Sequence, residues 1–397
     1  MTCLIKLGVI EPSSSPYCSP LVLVKKKDGT TRYCQDMRKV NKVTKFDCEG
    51  LPDIEYIYTK CADARCFSKL DFCKGYWQIP MENSAKEVTA FGTPFGNYQY
   101  CKMPFGLVNS GATYAKMMRI LLKDAENVEN FVDDVLVHTP DWEGQLSTLR
   151  DLFKRIKAAN LTVKPSKCFF GYTTIDFTGH VLTGGNLRTQ SDKIERLREA
   201  EVPRTKKQLR SFLGMAGYYR KFIDNYASIV KPLTDLTRKS SPDKLVWKDD
   251  HDLAFNEIKN KLSEEPILKV PDLSKEFVLS TDASDIGIAA VLKQEHNGVL
   301  FPVAYKSKKL LPRQQRYSVV ERECLAICWA IDRLNVYLYG REFVLQTDNA
   351  ALTFLDQAKF SNNRIMRWAM MLQPYRFRVM HVRGENNSDA DFLSRHV

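Results

Sequence analysis

No run of residues in this sequence is apolar enough, for long enough, to span a bilayer, and its first residues lack the basic-then-apolar order of a secretory leader. A membrane partner is therefore not expected. No CxxC pair occurs among the 11 cysteines, which are scattered singly. Without a secretory context, that scatter argues against a disulfide framework. The 6 histidines do not stand at ligand spacing from the cysteines, which argues against a zinc site. Cys324 and Cys328 share one face of an apolar helical pattern and read as core. There is also no internal repeat and no low-complexity tract, so solenoid and disordered classes drop out.

What is present is a chain of 397 residues, 44% hydrophobic, with a formal net charge of +12. That length and apolar content suffice for two or more domains. A basic balance favours a nucleic-acid partner, because Lys and Arg neutralise phosphates, although charge alone decides nothing. Residues 20–45 read as a hairpin, with Leu21–Val24 and a run from Thr31 flanking Asp28-Gly29. Residues 131–137 are two apolar arms around an acidic pair. Residues 146–159 have helical spacing, with Leu146, Leu149, Leu152, Phe153 and Ile156 on one face. Residues 193–239 hold 12 Lys/Arg and 5 Asp/Glu, so +7 of the charge lies there, on helices with Leu209, Phe212, Leu213 and Ala216 inward. A linker is expected at Lys239-Ser240-Ser241-Pro242-Asp243. Beyond Pro271 the pattern changes to strands at 277–282, 288–293 and 301–305, a helix at 317–335 and a strand at 342–347, a separate mixed domain.

Asp71 follows the strand-like run Phe67–Leu70, and Asp133 and Asp134 sit between the arms of the second hairpin. A carboxylate between apolar arms is costly unless compensated. Three of them raise one another's pKa unless cations bind, and Mg²⁺ is the hard, oxygen-seeking ion that carboxylates share with phosphates. Two such ions would activate a primer 3′ hydroxyl and stabilise leaving pyrophosphate. Taken alone, Asp-Asp in a hairpin is more often a solvated turn.

The surrounding words decide between these readings. Phe67-Ser68-Lys69-Leu70-Asp71 through Pro80, Met103–Asn109 and Phe131-Val132-Asp133-Asp134 stand in the order found in gypsy-type long-terminal-repeat retrotransposon reverse transcriptases, which the chain resembles. Leu23–Gly29, Phe177–His180, Leu209–Gly214 and Tyr218-Tyr219-Arg220 extend the resemblance over almost the whole length. It implies a right-hand polymerase of fingers, palm and thumb, then a connection and an αβ ribonuclease H-like domain, α+β and multidomain. The implied bounds are 1–183 for fingers and palm, 184–240 for the thumb, 241–275 for the connection and 276–397 for the ribonuclease H-like domain. It implies metal-holding catalytic roles for Asp71, Asp133 and Asp134, and a 2′-hydroxyl-excluding role for Tyr76. Lys26 and Arg32 would grip the incoming triphosphate, Phe105 and Gly106 would line the nucleotide pocket, and Phe177, Gly179 and His180 would form the primer grip. This chain departs from the family with Phe131 for Tyr, Ser110–Ala115 for Ala-Pro-Ala-Thr-Phe-Gln, Thr178 for Leu and Glu49-Gly50 for Tyr-Pro. The family also has more chain before Gly8, so a fragment of a longer polyprotein is expected.

A second set of acids lies in the C-terminal part. Asp282 and Asp348 each end an apolar strand in Thr-Asp, Glu323 lies in a helix and Asp391 precedes Phe392-Leu393-Ser394-Arg395. Strands ending alike bring carboxylates to one sheet edge, where helical acids could complete a two-metal hydrolytic site. Thr281–Ser284, Glu323–Ala326, Thr347–Leu352 and Ala390–Arg395 resemble the ribonuclease H words of the same family. Glu321 and Asp389 rival Glu323 and Asp391, and His381 reads as structural. The resemblance implies two Mg²⁺ per site, replaceable by Mn²⁺, and an RNA template, a DNA primer, an RNA–DNA hybrid and deoxynucleoside triphosphates as partners. It also implies cytoplasmic particles, with nuclear entry of the product complex. The reading from another class is a decayed or domesticated element that binds nucleic acid without catalysis. The acids at seven positions weigh against it. A DNA-templated polymerase leaves the ribonuclease H words without a purpose.

Overall fold

The computed structural model describes residues 2–25, 29, 31–50, 52–264, 267–347 and 363–382. The chain divides into two compact units, Met1–Ile57 with Ala64–Thr178, and Tyr58–Asp63 with Gly179–Val397. No helix among the described residues is long and apolar enough to cross a membrane.

In the first unit the expected hairpin forms from β1 (Leu21–Lys25) and β2 (Thr31–Gln35), antiparallel with Val24 opposite Arg32. Next come β3 (Cys66–Asp71), α1 (Ser110–Leu121), β4 (Val128–Phe131), β5 (Asp134–Thr139), α2 (Trp142–Ala158) and β6 (Phe169–Tyr172). The strands make one antiparallel sheet in the order β4-β5-β3-β6. β5 is interior, and Val135 through Thr139 are buried without alternation because both of its faces are covered. Leu70, Val135 and Val137 pack with Tyr114 and Met118 of α1 and Leu149, Leu152 and Ile156 of α2. Each such apolar side chain contributes about 1.5–3 kcal/mol on burial. Asp141 starts α2 by accepting from the Gly144 backbone N–H at 2.7 Å. Phe153, expected on the inner face, is exposed at its rim with its ring 6.1 Å from that of Phe170. A buried polar bridge sits under β3, where the Gln145 amide touches the Ser68 and Thr139 hydroxyls, each at 2.6 Å.

The second unit begins with β7 (His180–Thr183) and β8 (Asn186–Thr189), then α3 (Lys206–Tyr218), α4 (Asp249–Ser263) and β9 (Ile267–Lys269). β8 pairs antiparallel with both β7 and β9. Thr205 and Gln208 form a reciprocal capping box on α3, whose Leu209, Phe212 and Ala216 are buried, Phe212 4.5 Å from Phe255 of α4. The segment expected as a linker is held against this helix. Lys206 donates from its backbone N–H to Asp243 O at 3.1 Å and from its ammonium to Ser241 O. Helix-end hydrogen bonding, invisible in a Ser-Ser-Pro composition, accounts for that difference.

The unit ends in β10 (Phe277–Ala283), β11 (Gly287–His296), β12 (Val299–Lys309), α5 (Val319–Arg333), β13 (Glu342–Thr347), α6 (Asn363–Leu372) and β14 (Arg376–His381). The sheet order is β12-β11-β10-β13-β14, with antiparallel β12-β11-β10 and parallel β10-β13-β14 pairings. Buried Cys324, Ile327 and Ile331 of α5 pack with Phe277, Leu279 and Phe343 of this sheet, so Cys324 and Cys328 belong to the core as read.

Candidate active sites

The acidic hairpin is a two-residue turn. Phe131 pairs with Asp134 across it, and Asp134 in turn lies opposite Asp71 on β3. Register alone therefore puts Asp71 and Asp134 side by side, with Asp133 at the exposed tip. Val132 holds φ at 55°, a left-handed conformation that costs a β-branched residue on the order of 1–2 kcal/mol. Burial, followed by the charges of Asp133 and Asp71, raises the Asp134 carboxyl above its ordinary pKa, and Lys69 opposes the rise. Lys167 donates to Asp71 Oδ2 at 3.0 Å, and that bond raises the Lys167 pKa. Oxygen-only donors crowded into mutual repulsion suit a hard divalent cation. As they stand, no three His, Cys, Asp or Glu side chains among the described residues close around one, and an ammonium already neutralises Asp71.

Beside the acids is an aromatic group. Lys74, at φ 52°, turns the chain into Gly75 and Tyr76. A Cβ on Gly75 would lie 2.9 Å from the Tyr114 ring, so this turn requires glycine. The Tyr76 ring lies 5.2 Å from Phe105 and 5.3 Å, edge-on, from Tyr114. Burial and then Asp133 raise the Tyr76 phenol. The Tyr114 phenol is raised further, by burial first and then by Asp133, and its buried hydroxyl has no hydrogen-bond partner among the described residues. The Phe105-Gly106 loop is fixed from the hairpin side. Asn41 donates to Gly106 O at 2.8 Å and accepts from the Val108 N–H at 2.9 Å. Lys26 lies outside the described residues, as does the Arg32 side chain, so the expected triphosphate grip has no geometry here.

The turn expected to grip the primer has Thr178 at φ 47° and Gly179 at φ 82°. Phe177 and His180 on either side are buried. In the second unit, Tyr58 shares a 3.0 Å hydrogen bond with His180 Nδ1, Phe222 stacks on the imidazole at 5.6 Å, and the Tyr219 hydroxyl donates to Gly179 O at 2.9 Å. His180 is therefore an anchor, and the Thr178–Gly179 turn beside it is partly exposed.

In the sheet of the second unit, Asp282 near the end of β10 and Glu323 on α5 are both buried, and Glu323 Oε1 accepts from the Ala283 N–H at 3.1 Å. Glu321, two residues earlier, is occupied elsewhere. It closes a capping box with Ser318 and pairs with Arg364 at 2.7 Å. Asp348, Asp391 and its rival Asp389 lie outside the described residues. His381 ends β14 opposite Thr347.

Residues 24–182 match the reverse transcriptase (RNA-dependent DNA polymerase) family, and residues 272–375 match the RNase H-like domain found in reverse transcriptase. The chain is 36% identical over 98% of its length to the Retrovirus-related Pol polyprotein from transposon 297 of Drosophila melanogaster. It is 33% identical over 99% to that from transposon gypsy of the same fly. The chain belongs to the reverse transcriptases of retrotransposon Pol polyproteins. It spans 37% and 39% of those two relatives. In fold it is similar to the foamy viral protease-reverse transcriptase, solved in complex with dsDNA, at TM-score 0.86 and 23% identity over 96% of this chain and 80% of that one. The same viral protein solved with RNA/DNA hybrid gives a TM-score of 0.83 at 23% identity, over 96% and 52%.

Two residues of this reverse transcriptase escaped the sequence reading. Lys167 reaches Asp71 from 96 positions away because the segment before β6 passes the end of β3. Tyr114 stands at one of the departures from the family pattern, and only the packing of α1 on the Gly75 turn brings it within reach of the charge of Asp133. A further departure also acquires a partner, since Glu49 pairs with Arg119 at 2.6 Å.

Proposed function

We propose that this reverse transcriptase copies RNA into DNA at the hairpin site and degrades the copied RNA at the Asp282–Glu323 site. One observation carries the reading: adjacent strands set Asp71 against Asp134, with Asp133 in the turn between Asp134 and Phe131. Asp71, Asp133 and Asp134 would hold divalent ions, Mg²⁺ by their oxygen-only donor set, which supply the charge that activates a primer hydroxyl and stabilises pyrophosphate. The chain's own part is orientation. The rigid turn at Val132 fixes the acid pair, and the Tyr76 ring, wedged between Phe105 and Tyr114, offers a face against a ribose 2′ hydroxyl. Lys26 and Arg32 are assigned the triphosphate of an incoming deoxynucleotide, Arg by a fork and Lys as a point charge. Asp282, Glu323, Asp348 and Asp391 are assigned the hydrolytic site. The partners are template RNA, primer DNA and their hybrid, read by backbone shape and 2′ hydroxyls. The fold neighbours bound to dsDNA and RNA/DNA hybrid support this choice.

A second reading, binding without catalysis, rests on the ammonium of Lys167 on Asp71. Primer extension of oligo-dT on poly-rA with Mg²⁺ separates the two. We expect wild type to extend and Asp133→Asn to lose about a thousandfold, roughly 4 kcal/mol of barrier. Asp282→Asn should extend normally and leave the RNA intact. An inert wild type that still binds hybrid, with Mg²⁺ or Mn²⁺, would establish the second reading instead.

A further inference from the structure

Two buried polar atoms of the first unit belong to neither acidic site. The Trp77 indole N–H and the Gln35 amide oxygen have no hydrogen-bond partner among the described residues. One can only donate and the other can only accept. The far end of the Gln35 amide settles its orientation. Its Nε2 donates to Thr89 O at 2.8 Å and to Ala90 O at 3.2 Å, and carbonyls admit only the N–H end, so Oε1 points elsewhere. The same two segments bracket both side chains. Gln35 lies opposite Leu21 in the antiparallel hairpin, so their side chains share a face. Leu21 and Trp77 both pack on the cluster of Val9, Ile10, Phe91 and Tyr100, and Phe91 directly follows the Thr89 and Ala90 carbonyls. The second segment is the Phe105–Gly106 loop. The Trp77 ring lies 5.9 Å from that of Phe105, and a Cβ on Gly106 would lie 3.7 Å from Gln35 O. Gln35 ends the strand that carries Arg32, and Trp77 follows Tyr76.

We propose that Trp77 and Gln35 are positioning residues for the incoming deoxynucleotide. The indole N–H donates to the Gln35 amide oxygen when nucleotide is bound, and that bond fastens the strand of Arg32 to the turn of Tyr76 beside the Phe105–Gly106 loop. The inference rests on the nucleotide site proposed above. Each of the two atoms is removed from water without a partner, so one bond relieves the penalty on both. A bond made only in the nucleotide-bound form strengthens nucleotide binding by the free energy it releases. Neither side chain holds a metal or a reacting atom, so the effect falls on KM and leaves the chemical step as it is. The hydrogen bond runs between residues 42 positions apart, so it also ties together two regions that otherwise meet only through apolar packing and the loop between them.

The test sets nucleotide binding beside turnover, with the full chain. Trp77→Phe keeps a ring and loses the N–H, Gln35→Met keeps the length and loses the amide oxygen, and a double variant combines them. Binding of dTTP is read as the rise in melting temperature of a complex with poly-rA and a dideoxy-terminated oligo-dT primer, which cannot be extended. Extension of an ordinary oligo-dT primer gives KM and kcat. Trp77→Phe should weaken dTTP binding and raise its KM by about fivefold. Its kcat should stay within about twofold of wild type. Adding Trp77→Phe to Gln35→Met should change dTTP binding no further, because the two act through one bond. Melting without dTTP separates this from a packing defect, since Trp77→Phe removes an unpaired donor and should not melt lower. Unchanged dTTP binding in Trp77→Phe overturns the proposal, and so do effects that add in the double variant or a fall in kcat at constant KM. A wild type that dTTP does not stabilise sinks the nucleotide site itself, and the proposal with it. A wild type that binds dTTP and fails to extend sinks only the proposed catalysis, and the binding arm still decides the pair.

Discussion

The two acidic sites use the same side chains in opposite surroundings. Asp133 is exposed and Asp71 and Asp134 are half-buried at a hairpin edge, whereas Asp282 and Glu323 are each 3% exposed. At the hairpin, repulsion among the acids is offset by Lys69 and Lys167. In the second unit, Glu323 accepts from a fixed backbone donor, the Ala283 N–H. A buried acid must be satisfied by the fold before any ligand arrives, and an exposed one is not so constrained. The ribonuclease-like pair is thus set by secondary structure, and the hairpin acids keep a replaceable partner.

That contrast can be broken most sharply at α5. Glu323→Gln should abolish RNA cleavage, by about a thousandfold or roughly 4 kcal/mol of barrier, with the melting temperature nearly unchanged. Glu321→Ala should do the reverse, keeping cleavage while losing about 1 kcal/mol of stability through its capping box. A hybrid-cleavage assay beside a thermal melt reads both, and cleavage lost in Glu321→Ala would exchange the two assignments. Smaller effects are expected at the hairpin. Without divalent metal, Asp134→Asn should raise the melting temperature by about 2 °C, since a desolvated, mutually repelled charge is removed. A lower melting temperature would mean that the repulsion is already relieved in the folded chain. Smallest of all, Lys167→Gln should lower the Mg²⁺ concentration needed for half-maximal thermal stabilisation by about twofold, in line with a partly exposed ion pair. An unchanged midpoint would show that the lysine does not compete with a metal.

Much of this was legible in the residues. Asp-Gly between apolar runs gave the first hairpin, and the apolar arms around Asp133-Asp134 gave the second but not its register, since the turn falls at Val132-Asp133 and Asp134 pairs within the strand. Ser318-x-x-Glu321 is a capping word that, read as such, separates Glu321 from Glu323 without coordinates. What stayed hidden depends on contacts between distant segments. Lys167 meets Asp71 across 96 positions, and the tether of residues 241–243 to α3 is made by backbone groups that every residue owns. Phe153 shows a third limit: helical periodicity marks a stripe but not its edges, and a residue at the rim of the stripe is exposed.

The left-handed Val132 has a consequence for engineering. Glycine at that position would accept the same φ without steric cost, so a screen for heat resistance would be drawn to it. The same substitution would release the one torsion that aims Asp133 and Asp134. Improvement found there by melting alone would come as a looser catalyst, and selection for copying would push the position back toward a bulky side chain.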